Sequence, residues 1–177
     1  MTTAQRDKRL GELILYIASR CERAQYFGKT KLNKILFYAD FLYYKKTGDS
    51  ITGQEYMRLD QGPAPRRLVP VVEALKRERF AFRKERLFGR VQERPLAIDE
   101  PDLTLFSGDQ IAMVNEVIEA FWDQTGKAVS DLSHSLPSWQ LAANGETIPY
   151  STIFLSDRPL SEAEIEHGRR LTVELGL

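Results

Sequence analysis

Apolar positions in the first twenty residues recur at helical spacing. Leu10, Leu13, Ile14, Ile17 and Cys21 fall on one face, and charged residues fill the other, predicting a helix from Thr3 to about Arg23. A second helix is expected from Thr30, a residue suited to an N-cap, to Gly48, a C-terminal stop after Lys45 and Lys46. Leu32, Ile35, Leu36, Ala39, Leu42 and Tyr43 form its main stripe, while Phe37, Phe41 and Tyr44 add a second. A helix apolar around so much of its circumference needs neighbours on two or three sides, which makes it central.

Beyond it the pattern is mixed. Glu55 to Leu59 alternates as a short strand would, and Gly62-Pro63-Ala64-Pro65 then breaks the chain. Leu68, Val71, Val72 and Leu75 supply a third helix, expected to start near Pro70 because an earlier start would cost that position its amide bond. From Phe80 to Ile98 the period becomes two, predicting a hairpin turned at Gly89 or at Glu85-Arg86. Asp99 to Ser107 reads as a linker. Ser107 caps a fourth helix with the face Ile111, Val114, Ile118, Phe121 and Trp122. Shorter helical pieces follow at Ala128–Leu136 and Trp139–Ala143, then an Asn144-Gly145 turn and an apolar stretch from Ile148 to Leu155. Ser161, with Glu162 and Glu164, opens a last helix. The expected fold class is α+β and mostly α-helical: a compact single domain with a central aromatic-rich helix and one small antiparallel sheet, spanning residues 54–59 and 80–98.

Composition agrees with a globular chain: 177 residues, 42% hydrophobic and 28% charged. A lone Cys21 forms no internal disulfide, and no apolar run reaches membrane-spanning length, so a soluble cytoplasmic protein without a membrane partner is expected. Net charge is zero, yet residues 1–94 hold 21 Lys/Arg against 11 Asp/Glu, and residues 95–177 hold 4 against 14. The balance of +10 and −10 either sets up a dipole that steers charged partners or is neutralised across the core interface.

Candidate chemistry is sparse. One Cys and two His, His134 and His167, make no structural zinc site, and phosphate-binding loops and metalloprotease spacings are absent, so neither metal nor cofactor is expected. Ser133-His134-Ser135 carries nucleophile and base residue types, but neighbours in sequence rarely face each other, and a structural or interface histidine is the simpler reading. The segment 66–94 carries ten Lys/Arg: Arg66, Arg67, Lys76, Arg77, Arg79, Arg83, Lys84, Arg86, Arg90 and Arg94. With Phe80, Phe82 and Phe88 interleaved it suits nucleic-acid binding; with Glu73, Glu78, Glu85 and Glu93 among them it equally reads as a solvated hairpin with inward Phe side chains. The cluster Phe37, Tyr38, Phe41, Tyr43 and Tyr44 reads as core, with the Tyr38 and Tyr44 hydroxyls needing partners or solvent.

Three separated pieces together carry a resemblance. Lys31-Leu32-Asn33-Lys34-Ile35-Leu36-Phe37-Tyr38-Ala39, then Tyr56 with Gly62-Pro63, then Leu132-Ser133-His134 with Pro137-Ser138-Trp139 resemble, in order and spacing, the Panacea domain of SocA-like antitoxins. The resemblance covers residues 30–145, with 1–29 as an N-terminal helix and 146–177 as a C-terminal segment and helix. It implies a non-enzymatic antitoxin that neutralises a toxin encoded nearby, by direct binding or by delivering it to a protease, and a phage-associated setting occurs among relatives. Lys31, Leu32, Lys34, Leu36, Tyr38, His134 and Trp139 are the motif residues it marks. The partner surface expected beside the stiff Gly-Pro turn comprises Tyr56, Arg58, Asp60, Gly62, Pro63, Arg66 and Arg67, exposed Arg and Tyr being frequent hot-spot residues. Nucleic-acid binding through residues 66–94 is the alternative. Gly62 is expected in a backbone state other residues resist, and Trp139 beside the His134 turn.

Overall fold

The computed structural model describes residues 1–87, 89–156, 158–159 and 161–176. Helix α1 (Thr3–Arg20) leads into α2 (Lys29–Thr47), followed by the short strands β1 (Tyr56–Met57) and β2 (Ala64–Pro65) and by α3 (Leu68–Leu75). A hairpin of β3 (Phe80–Leu87) and β4 (Arg90–Ala97) precedes α4 (Gly108–Ala120), α5 (Gly126–His134) and α6 (Pro137–Leu141). Strand β5 (Thr147–Ile148), a 3-10 turn over Tyr150–Phe154 and α7 (Glu162–Leu175) complete the chain. The α+β, mainly helical class is as expected.

Helix α2 is central. Ile35, Leu36, Phe37, Ala39 and Phe41 have no accessible surface, and α1, α4, α5, β2, β4 and the 3-10 turn all pack against it. Its aromatic stripe interlocks with the far end of the chain, Phe41 tilting against Tyr150 at 4.6 Å and Tyr38 meeting Phe121 edge-on at 5.2 Å. The helix ends at Gly48, whose φ of 81° lets its amide close on the Tyr44 carbonyl. Its start differs from expectation: Gly28 is the N-cap, and Thr30 lies inside the first turn, where its hydroxyl bonds Gln61 instead. Helix α3 starts two residues before Pro70, not at it. Pro70 is then the third helical residue, where an amide has no intrahelical acceptor, so the ring removes nothing.

Among the described residues the strands form two sheets where one was expected. β1 is the centre of an antiparallel trio in the order β2-β1-β5, with Tyr56 opposite both Pro65 and Ile148. The hairpin pairs only with itself, Phe80 opposite Ala97 through Leu87 opposite Arg90, and Gly89 at φ 77° makes its turn. Phe80 enters the core, and Arg94 fastens the hairpin to the α1–α2 connection through the carbonyls of Glu22, Ala24 and Gln25. Trp122 lies just past the end of α4 and is exposed, not part of the buried face.

Candidate partner-binding site at the Gly-Pro loop

The loop from Leu59 to Pro63 is gripped from three elements. Gly62 has φ of +90°, and a Cβ there would stand 2.5 Å from Lys34 Cε, 2.7 Å from Lys34 Nζ and closer still to Ser133 Oγ. Lys34 of α2 donates to the Pro63 carbonyl at 3.2 Å. From α5, Ser130 Oγ donates to the Gln61 carbonyl at 2.9 Å; from α6, Trp139 Nε1 donates to the Leu59 carbonyl at 3.1 Å. The Gly62 amide itself closes on Leu59. Only glycine fits this combination of backbone and close approach. The three sequence pieces around residues 34, 62 and 133 thus meet at one point.

Beside the loop stands a stacked column. His134 lies face to face with Trp139 at 4.1 Å, and the Arg58 guanidinium sits 4.0 Å above the same indole. Arg58 also donates to the Ala142 carbonyl, which fixes the guanidinium plane. Burial, followed by the nearby Lys34 charge, lowers the pKa of His134 and favours its neutral ring. The serine hydroxyls are committed to backbone: Ser133 donates to the Ser130 carbonyl at 2.7 Å, and Ser130 to Gln61. Ser130 Oγ also lies 3.5 Å from His134 Nε2, at the long limit of a hydrogen bond, so these side chains join the loop to α5.

Lys34 is the unusual group. It is fully buried with one carbonyl acceptor, and desolvation pulls its amine down to about 7. It reaches a cleft of about 450 Å³ bordered by Asn33, Asp60, Gln61 and Asn144. The Asn33 side-chain oxygen is buried without a partner. Lys31, one turn earlier, donates to the Trp122 and Gln124 carbonyls at 2.8 Å each and closes the end of α4.

The expected contact residues divide. Tyr56 is buried, its hydroxyl donating to Asp40 at 2.7 Å and lying 3.0 Å from the Leu36 carbonyl, because the centre of a three-stranded sheet faces α2. It presents no surface; Gly62 and Pro63 are buried likewise. Asp60, Arg66 and Arg67 are exposed, and Arg58 is half-buried. Arg66 bonds Gly145 and Thr147, and Arg67 forms a fork with Asp7 of α1. Leu32 and Leu36 are core, and Tyr38 is buried with an unpaired hydroxyl. Sequence reasoning missed Ser130 and Asp40. Asp40 accepts from the Thr52 amide and hydroxyl and from Tyr56, and burial raises its pKa. An acid four residues after Leu36, inside an apolar stripe, was the available signal for Asp40; Ser130 had none.

The basic segment 66–94 is largely neutralised in place. Arg66, Arg67, Lys76, Arg79, Arg83 and Arg94 each pair with an acid, Arg79 holding both Glu12 and Asp99. Phe80 is buried and Phe82 packs edge-on against it, with Lys29 and Lys76 over the Phe82 ring. Phe88 lies outside the described residues. Among the described residues no cluster of His, Cys, Asp or Glu is placed to hold a metal, and no helix is long and apolar enough to cross a membrane.

Neither a curated protein nor a solved structure matches the chain. A family model does: "Antitoxin SocA-like, Panacea domain" matches residues 32–140, from the first turn of α2 through Gln140 of α6, and so takes in the gripped loop and everything that grips it. By that match, over more than half its length, the chain belongs to the SocA-like antitoxin family of Panacea domains.

Proposed function

We propose that this protein is the antitoxin of a toxin–antitoxin pair and neutralises a cognate toxin by direct protein binding at the rim of the Gly-Pro loop. The observation that carries the reading is the family match, whose bounds coincide with the elements that hold Leu59–Pro63 in place. Preordered backbone loses little entropy on binding, and the rim offers Asp60, Gln61, Arg66 and Arg67 beside the Arg58–Trp139 stack. Arginine and tryptophan next to fixed backbone are the residue types that dominate interface energies. In this reading the protein binds its partner without transforming it. The hydroxyl and imidazole groups near the loop serve the fold.

The test is co-expression with the products of flanking genes. One flanking gene alone should arrest growth, this chain should restore it, and the two proteins should co-purify. No toxic neighbour and no co-purifying protein would overturn the proposal. Delivery to a protease, a mode implied by the family, would instead shorten the toxin's half-life in a protease-dependent way. Direct binding leaves that half-life unchanged. The rival use of the hairpin for nucleic acid would show as affinity collapsing between 50 and 200 mM salt, roughly 10³-fold or more for six or more phosphate contacts.

A further inference from the structure

Two unpartnered apolar surfaces lie within reach of each other. The first is a groove between α2, α4 and α5 of about 290 Å³, lined by Tyr38, Leu42, Met113, Val117, Phe121 and Leu132. Tyr38 at its floor is 8% exposed, and its hydroxyl has no hydrogen-bond partner. Leu132 at the rim is 45% exposed. The second surface belongs to α7. Its 14 residues carry a Ser161–Glu164 capping box and a left-handed Gly176 stop, yet its described residues from Glu162 to Glu174 are all exposed. A helix that short is marginal in water on its own. Ile165, Gly168, Leu171 and Thr172 fall on one face. Gly168 meets nothing within 4 Å, so its cost of about 1 kcal/mol relative to Ala has no compensation in the open position. A glycine in the middle of an apolar stripe lets another helix approach closely.

We propose that α7 docks in cis into the Tyr38–Leu132 groove and covers it. The tether permits this: Phe154 packs on Tyr44, on the side of α2 away from Leu42, and the seven residues 155–161 span up to about 24 Å, enough to pass round a helix about 10–12 Å across. Charge fits one orientation. Glu162 and Glu164 flank the docked face at the start of α7 and would lie by Lys45 and Lys46 at the end of α2, Glu164 exchanging its present Arg158 partner. Arg169, further on, would reach Glu116 on the groove wall. Thr172 brings a hydroxyl to the same stripe for Tyr38. A short tether supplies millimolar effective concentration, so a weak contact suffices to close the groove.

The full-length Ala120→Cys/Thr172→Cys variant, treated with a short bismaleimide, tests this directly. Native Cys21 is buried with its thiol pushed up to about 12, so it does not compete. A monomeric cross-linked product is expected, its yield falling at least tenfold when Leu171→Glu is added. Cross-links between two chains, or none, would overturn cis docking. A second measurement, hydrogen exchange on the unmodified protein, should show α7 amides at least tenfold slower than in the Leu132→Glu variant. Equal rates in the two proteins would refute the closed state whatever the cross-linker does.

Discussion

At the scale of single residues, Gly62 and Lys34 concentrate the stress of the site. Gly62→Ala imposes a left-handed backbone on a side chain and drives its Cβ into Lys34 and Ser133. It should destabilise by about 2 kcal/mol or more, read from urea midpoints, because strain of 1–3 kcal/mol combines with overpacking. An unchanged midpoint would mean that the loop does not hold this conformation. Lys34 predicts a pH dependence. Its folded amine titrates near 7 against 10.5 unfolded, so between those values the unfolded chain binds more protons and stability rises with pH. Asp40 acts with the opposite sign: its pKa is raised by burial, so stability grows as pH falls through the folded value towards 3.8. Urea melts from pH 7 to 9, below the range where the buried Cys21 thiol acts with the opposite sign, should slope upward, and Lys34→Met should reduce that slope to the part due to Lys31. A wild-type slope of zero would place the amine in water.

At the scale of elements, the α2 core and the hairpin clamp make separate predictions. Leu36→Ala should cost about 2–5 kcal/mol in denaturant melts, since Leu36 is fully enclosed. A loss below about 1 kcal/mol would contradict a central α2. Arg94→Met should free the hairpin and strand three carbonyls, raising hydrogen exchange across β3, β4 and residues 21–28 before the rest of the molecule. Exchange confined to the hairpin turn would contradict the clamp. Periodicity made α1, α2, α4 and the hairpin legible because each has a long one-sided pattern. Of the trio of two-residue strands only β1 was legible, from the alternation of Glu55 to Leu59; β2 and β5 carry no period. Tyr56 shows the cost: it stands between Glu55 and Met57, and only the pairing with Pro65 and Ile148 reveals that it faces α2. The sequence reading placed Trp139 beside the His134 turn, as found; the meeting of residues 34, 62 and 133 and the role of Ser130 as a loop anchor depend on helix orientation, which sequence does not contain.

At the scale of the whole molecule, the charge asymmetry of the two halves is partly spent internally. Lys8 meets Asp102 and Arg79 meets Asp99, both joining the basic half to the acidic one. Arg66 and Arg67, though paired with Glu55 and Asp7, stay exposed at the loop rim, and the partner proposed here would read them. Arg66→Glu/Arg67→Glu should weaken toxin binding at least tenfold while leaving the thermal midpoint nearly unchanged, because exposed pairs contribute little to folding. Equal affinity for the variant would move the contact surface elsewhere.

The grip on the Gly-Pro loop also sets a schedule. Its floor comes from residue 34, its backbone from residue 62 and its walls from residues 130, 133 and 139. A chain emerging from the ribosome at about 5–20 residues per second therefore makes the loop several seconds before it makes the walls. Until α5 and α6 emerge, Gly62 has nothing to be pressed against and the rim has no shape. On the reading proposed above, a nascent chain therefore has no partner surface until residue 139 has been added.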